Sequence, residues 1–142
     1  MKIAFHNVGR PWRIVFRTLL FLYIAALLVL CFGKFDQMPE VPQSLLGIPM
    51  DKVVHFLMFF PFPILLFLAY DALTQTVKAS ALYALGAFGM GVLLAILTEW
   101  GQAHFTSYRS GDPTDLLADC LALLVSALLV FLLDIRKQPP QK

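Results

Sequence analysis

Four long apolar stretches take up more than half of this chain. They run over residues 14–32, 53–70, 79–98 and 116–133. A bilayer core about 30 Å thick requires roughly 20 apolar residues per helix, which is close to the length of each stretch. Hydrophobic residues make up 59% of the 142 residues and charged residues only 14%, too few to cover a water-soluble domain. The sequence therefore predicts one all-α domain over residues 1–142, a bundle of four transmembrane helices.

The distribution of basic residues predicts the orientation of this bundle. Eight lysines and arginines lie in the N-terminal segment, the loop at 71–78 and the C-terminal tail, against three in the other two loops. The first group is Lys2, Arg10, Arg13, Arg17, Lys78, Arg136, Lys137 and Lys142, and the second is Lys34, Lys52 and Arg109. By the positive-inside rule, we expect both termini to be cytoplasmic. The net charge of +2 is too small to indicate nucleic acid as a partner.

The first stretch is predicted to be a retained helix, because it is too long for a signal peptide and no small-residue cleavage site follows it. Its Cys31 and the Cys120 of the last stretch fall near the same end of the bundle. A disulfide would require the first and fourth helices to be adjacent. We favour two free thiols that pack as small apolar side chains.

Two pairs of residues predict local features of the helices. Pro61 and Pro63 should kink the second helix or loosen its hydrogen bonding. Ala87 and Gly91 lie four residues apart on the third helix, a spacing of small residues that permits close helix packing.

Two loops are predicted on the outer side. The segment at 33–50 contains three prolines and is expected to lie over the outer face, dipping to the interface through Leu45, Leu46 and Ile48. The second outer segment, at 99–114, is polar and aromatic. Its Trp100, Phe105 and Tyr108 suit the level of the lipid headgroups.

Polar residues gather at the predicted non-cytoplasmic ends of three helices. Asp51, Lys52 and His55 open the second helix, Glu99 and Gln102 close the third, and Arg109, Asp112, Asp115 and Asp119 lead into the fourth. Residues three or four apart share one face of a helix. We therefore expect these side chains to meet at one level of the membrane.

Helix capping explains some of the polar residues at the start of the fourth helix, but it does not explain Asp119. Asp112 is a good N-cap, Pro113 fits the first helical position, and Asp115 favours the positive end of the helix dipole. Asp119 lies more than a turn inside an apolar helix, where an ionised carboxylate costs about 2.5–3.5 kcal/mol. It must face the bundle interior and needs a proton or a partner, for which His55 and Arg109 are candidates.

The three clusters, in this order on consecutive helices, resemble the VanZ-like family of small bacterial membrane proteins. The resemblance runs from about residue 51 to 128, and the founding member is associated with teicoplanin resistance. The family pattern marks Asp51, Lys52, His55, Glu99, Gln102, Arg109, Asp112, Asp115 and position 119. The family usually has Asn where this chain has Asp119, and a Gly further along where it reads Cys120-Leu-Ala122. The resemblance implies a multi-pass protein of the bacterial cytoplasmic membrane.

Several functions are open for such a cluster. The leading hypothesis is a non-enzymatic envelope protein that binds an anionic lipid-linked cell-wall precursor or a lipoglycopeptide through Arg109, Lys52 and His55. An alternative is a membrane enzyme acting on a polyprenyl-phosphate or glycolipid, in which Glu99, Asp119 or His55 would be the acid or base. A third is a structural or partner-binding module held together by a salt-bridge network.

The expected partners are membrane lipids, the headgroup ligand and a second copy of the chain. No cofactor is expected. The carboxylates with His55 could hold a cation, but a zinc site that uses His55 and His104 lacks any HExxH or cysteine-pair spacing. The sequence therefore predicts no metal site.

Overall fold

The computed structural model describes residues 10–34, 42–70, 76–108 and 111–136. Its elements are α1 (Arg10–Phe32), β1 (Ser44–Leu45), β2 (Ile48–Pro49), α2 (Met50–Phe59), α3 (Pro61–Tyr70), α4 (Val77–Phe105) and α5 (Pro113–Ile135). Within these ranges four helical segments are long and apolar enough to cross a membrane, with α2 and α3 counting as one. The predicted all-α bundle of four transmembrane helices is confirmed. The chain is a multi-pass membrane protein.

The third helix extends beyond the apolar stretch that ends at residue 98, as expected from the prediction that Glu99 and Gln102 close it. α4 continues to Phe105, and the backbone N–H of Thr106 still donates to the Gln102 carbonyl, 3.3 Å away. The apolar run marks only the part of a helix that suits hydrocarbon, whereas the hydrogen-bonded helix continues through polar residues beyond it. Residues 99–105 therefore form the last two turns of α4, which ends three residues after Gln102.

The second membrane segment is interrupted at Phe60, directly before Pro61 and Pro63, as predicted. α2 ends at Phe59 and α3 begins at Pro61, which has no backbone N–H to continue the helix. Beside the break, the Tyr23 hydroxyl of α1 donates a hydrogen bond to the Met58 carbonyl. A neighbouring helix thus supplies a donor where the regular bonding is disturbed.

Close packing of α4 on α5 forms the centre of the bundle. A Cβ atom placed on Gly91 would clash with the side chain of Leu123, which is fully buried. Ala87, one turn earlier, is also buried. The close packing predicted from these two small residues is confirmed, and it sets how near the polar ends of α4 and α5 lie to each other.

We expect Gly91→Ala to lower the stability of the bundle by about 1–2 kcal/mol, because the fully buried Leu123 side chain would have to shift from its packed position. Gly89→Ala is the matched control, since no atom lies within 4 Å of a Cβ placed there. It should leave stability unchanged or raise it slightly through helix propensity. Unfolding in mixed micelles would measure both, and equal effects of the two substitutions would contradict the packing.

The segment before α2 is a short β-hairpin. Ser44 pairs with Pro49 and Leu45 with Ile48, around a turn in which Leu46 and Gly47 both have positive φ. The three apolar residues expected to reach the interface are all exposed, and Leu46 is 96% exposed at the tip. Residues 35–41 lie outside the described part of the chain.

α1 is tied to the bundle at both of its ends. Near its start, the Arg17 side chain donates to the Ala69 carbonyl at the end of α3 (3.1 Å) and lies over the ring of Tyr70. Near its end, the Gln102 amide of α4 donates to the Cys31 carbonyl, 2.8 Å away. Cys31 and Cys120 are not joined by a disulfide, as favoured.

Candidate functional site

Seven ionisable side chains converge where the start of α2, the last turns of α4 and the start of α5 meet. We call them the polar cluster: Asp51, Lys52, His55, Glu99, Asp112, Asp115 and Asp119. All seven were sequence candidates, and the structure brings them to one end of the bundle.

The start of α5 is built as its local sequence predicts. Asp112 is the N-cap, and its carboxylate accepts from both the backbone N–H and the hydroxyl of Thr114, each at 2.8 Å. Pro113 follows at the first helical position. Asp115 and Asp119 come one turn apart and both face α2.

Lys52 forms the outer half of the polar cluster with three carboxylates. Its ammonium group donates to Asp51 and Asp112, each at 2.8 Å, and also to Asp115. An ammonium group has three donors, so all of them are used. The hydrogen bond from Lys52, together with those from Thr114, lowers the pKa of Asp112 to about 2. Lys52 is therefore engaged by its own neighbours, whose charge it offsets only in part, and is not a free cation for a ligand.

His55 forms the inner half of the polar cluster with Glu99 and Asp119. Its Nδ1 lies 3.0 Å from Asp119 Oδ1 and 3.9 Å from Glu99 Oε1, and its Nε2 lies 3.5 Å from Asp115 Oδ2. The Asp119 side chain is completely buried and that of His55 is 8% exposed. Asp119 thus lies inside the bundle with a partner, as its insertion cost requires.

Two carboxylate oxygens of the inner half are buried without a hydrogen-bond partner among the described residues. They are Glu99 Oε1 and Asp119 Oδ2. The other Glu99 oxygen, Oε2, accepts from the backbone N–H of Asp112 at 3.1 Å. Unpaired buried acceptors are uncommon and costly, so we expect a proton, a water molecule or a bound group at these atoms.

The loop before α5 packs directly on Glu99. A Cβ atom at Gly111 would lie 3.1 Å from the Glu99 carbonyl oxygen and 3.2 Å from the Ala103 side chain. Only glycine permits this approach without a shift, and it brings the Asp112 N–H to Glu99. The sequence contains no spacing signal for this backbone donor, because it depends on the path of the loop.

Two further candidates, Gln102 and His104, lie outside the polar cluster. The buried Gln102 amide donates to α1 and joins helices outside the polar cluster. His104 is exposed, stacks on Trp100 and hydrogen-bonds through Nδ1 to the Trp100 carbonyl at 2.8 Å, so the structure does not place it with His55. Arg109 lies outside the described residues.

Acidic groups dominate the described polar cluster, with five carboxyl groups against one lysine and one histidine. Lys52 and His55, two of the three groups expected to bind an anion, are already engaged by carboxylates. The arrangement offers mainly acceptor oxygens, which bind hydroxyl groups, amines or cations.

Comparison with known proteins adds no relative to this description: no protein-family model, curated protein or solved structure matches the chain.

Proposed function

We propose that this chain is a VanZ-like protein of the bacterial cytoplasmic membrane whose polar cluster binds a headgroup carried on a lipid or lipophilic tail. The ligand class is a lipid-linked cell-wall precursor or a lipoglycopeptide of the teicoplanin type. The order and spacing of the three sequence clusters support the family. The basic-residue distribution supports an outward-facing polar cluster.

The observation that carries the proposal is a continuous series of carboxyl groups from the surface into the bundle. The exposed fractions of the side chains fall from 55% at Asp51 and 42% at Asp112 to 15% at Asp115 and 0% at Asp119. A headgroup at the membrane surface can contact the outer members while its tail stays in lipid.

The chemistry of the described residues changes which headgroup atoms we expect to be recognised. Carboxylate oxygens accept hydrogen bonds from sugar hydroxyls and amines, so these atoms face the polar cluster. An anionic part of the same ligand is left to Arg109, whose guanidinium matches phosphate or carboxylate with two parallel hydrogen bonds.

Replacing Arg109 by Ala should weaken headgroup binding about 10- to 100-fold, because a charged hydrogen-bonded contact contributes about 1.5–3 kcal/mol. The measurement is the affinity of purified protein in nanodiscs for a labelled lipid-linked precursor, together with teicoplanin susceptibility of cells at matched expression. Lys78→Ala is the control, since it removes one positive charge near the start of α4, at the other end of the bundle. Equal affinity of the Arg109→Ala and wild-type proteins would contradict the proposal.

A second candidate is a membrane enzyme acting on a polyprenyl-phosphate or glycolipid. The contact of 3.0 Å between His55 and Asp119 favours it, because a buried carboxylate that orients an imidazole is a common arrangement for a general base. Turnover of a labelled glycolipid that Glu99→Gln abolishes would support catalysis. Tight binding without turnover by the wild-type protein would exclude it for that substrate.

A further inference from the structure

We propose that His55, Glu99 and Asp119 bind a divalent metal ion of the zinc or manganese class, through His55 Nδ1 and one oxygen of each carboxylate. This site goes beyond the headgroup proposal and does not depend on it. It lies in the inner half of the polar cluster, where three helices each supply one ligand.

The spacing of the ligand atoms suits a metal ion. Metal–ligand distances of about 2.0–2.2 Å in a tetrahedral site place neighbouring ligand atoms about 3.4 Å apart. The distances from His55 Nδ1 are 3.0 Å to Asp119 Oδ1 and 3.9 Å to Glu99 Oε1, one below and one above that value. One ligand atom from each of the three residues can be chosen so that all lie within 4.8 Å of one another. Small side-chain adjustments would complete the geometry.

The unpartnered oxygens are an independent observation that points to a ligand here. Glu99 Oε1 and Asp119 Oδ2 belong to side chains that are 10% and 0% exposed, and neither has a hydrogen-bond partner among the described residues. Among the described residues, no lysine or arginine pairs with these two carboxylates, so their charge is left to His55 or to a bound cation. A divalent cation neutralises both carboxylates at once.

The outer half of the polar cluster provides an internal comparison. Asp51, Asp112 and Asp115 also form a group with metal-ligand spacing, but the ammonium of Lys52 donates to all three. The protein therefore supplies the cation for that group itself. The described residues supply no lysine or arginine to the inner group.

Asp115 completes the surroundings of the inner site. With a metal on Nδ1, the proton of neutral His55 lies on Nε2, which is 3.5 Å from Asp115 Oδ2. A carboxylate that accepts from the second nitrogen of a metal-bound histidine is a recurring feature, because it holds the ring and its tautomer in place.

The donor set selects the metal class. One imidazole nitrogen with two carboxylate oxygens suits Zn²⁺ or Mn²⁺ better than Mg²⁺ or Ca²⁺, which prefer all-oxygen sites. Three protein ligands also leave a coordination position open. The sequence left open a cation held by His55 and the carboxylates, but predicted no metal site because it contains no HExxH or cysteine-pair spacing. The group formed here has one residue on each of α2, α4 and α5, a pattern that no local spacing reveals.

The test titrates Zn²⁺, and separately Mn²⁺ and Mg²⁺, into the purified full-length chain in detergent after chelator treatment. Calorimetry should show one Zn²⁺ per chain. Losing a residue that only hydrogen-bonds to a metal ligand lowers metal affinity about 10- to 100-fold. Glu99→Gln and Asp119→Asn, which change the ligands themselves, should therefore each lower the Zn²⁺ affinity at least tenfold. Asp134→Asn is the control, because it makes the same change at a buried position on α5 near the other end of the bundle. Absence of Zn²⁺ and Mn²⁺ binding by the wild-type protein, or equal weakening by Asp134→Asn, would overturn the proposal.

A second measurement needs no variant. X-ray absorption of the Zn²⁺-loaded wild-type protein should show only nitrogen and oxygen ligands at about 2.0–2.2 Å. Sulfur ligands would place the ion at Cys31 or Cys120 and would also overturn the site.

Discussion

The His55→Leu variant is expected to lose about 3–5 kcal/mol of stability, the largest effect of any single substitution considered for this protein. Leucine has a similar volume but leaves the fully buried Asp119 without its partner at 3.0 Å. Breaking a buried polar pair from one side exposes the remaining charge to the full desolvation cost. Unfolding in mixed micelles with a chelator present would measure the change without a contribution from bound metal.

The double variant His55→Leu/Asp119→Leu tests whether an unpaired Asp119 carboxylate causes the loss of stability in His55→Leu. Replacing both members by apolar residues removes the unpaired charge, so most of the lost stability should return. The non-additivity of the two substitutions measures their coupling. If the double variant is less stable than His55→Leu, the loss comes from side-chain packing and not from an orphaned carboxylate.

The Lys52→Met variant is expected to have the second-largest effect, a loss of about 2 kcal/mol attributed to its contact with Asp115. The figure is below that for His55 because Lys52 is 18% exposed, so water screens part of the interaction. Asp51 and Asp112 also lose their cation and then repel Asp115. Lys52→Arg is the control, since it keeps the charge and should retain most of the stability.

The dependence of stability on acid pH should distinguish the ion pairs of Lys52 from a packing effect of its side chain. The folded pKa of Asp112 is lowered to about 2 from an ordinary value of 3.8, so its contribution is fully present above about pH 4 and is lost as pH falls towards 2. The wild-type protein should therefore lose stability over this range. In Lys52→Met, protonation relieves repulsion among the carboxylates, so the loss on acidification should be smaller or reversed. Parallel pH profiles of the two proteins would contradict the assignment.

Local patterns in the sequence were sufficient to predict the helices and the ends of some of them. Each apolar stretch of about 20 residues forms a membrane segment, and Pro61 interrupts the second one because it lacks a backbone N–H. Asp112 and Pro113 start α5 through contacts within three residues. Where the polar sequence continues a helix, as at 99–105, hydropathy alone placed the end too early.

The members of the polar cluster were also sequence candidates, because they lie at the predicted non-cytoplasmic ends of three helices. Asp119, inside an apolar helix, must in addition face the bundle interior. The sequence by itself thus determined the four-helix architecture and which side chains collect at one end. The pairing among them was decided only by tertiary structure: Lys52 saturated by three carboxylates, His55 held against Asp119, and Gln102 directed to α1. Such pairings depend on the rotation and spacing of helices distant in sequence. The spacing of Ala87 and Gly91 predicts close packing at that point of the third helix, but only the folded bundle shows that α5 packs there, through Leu123.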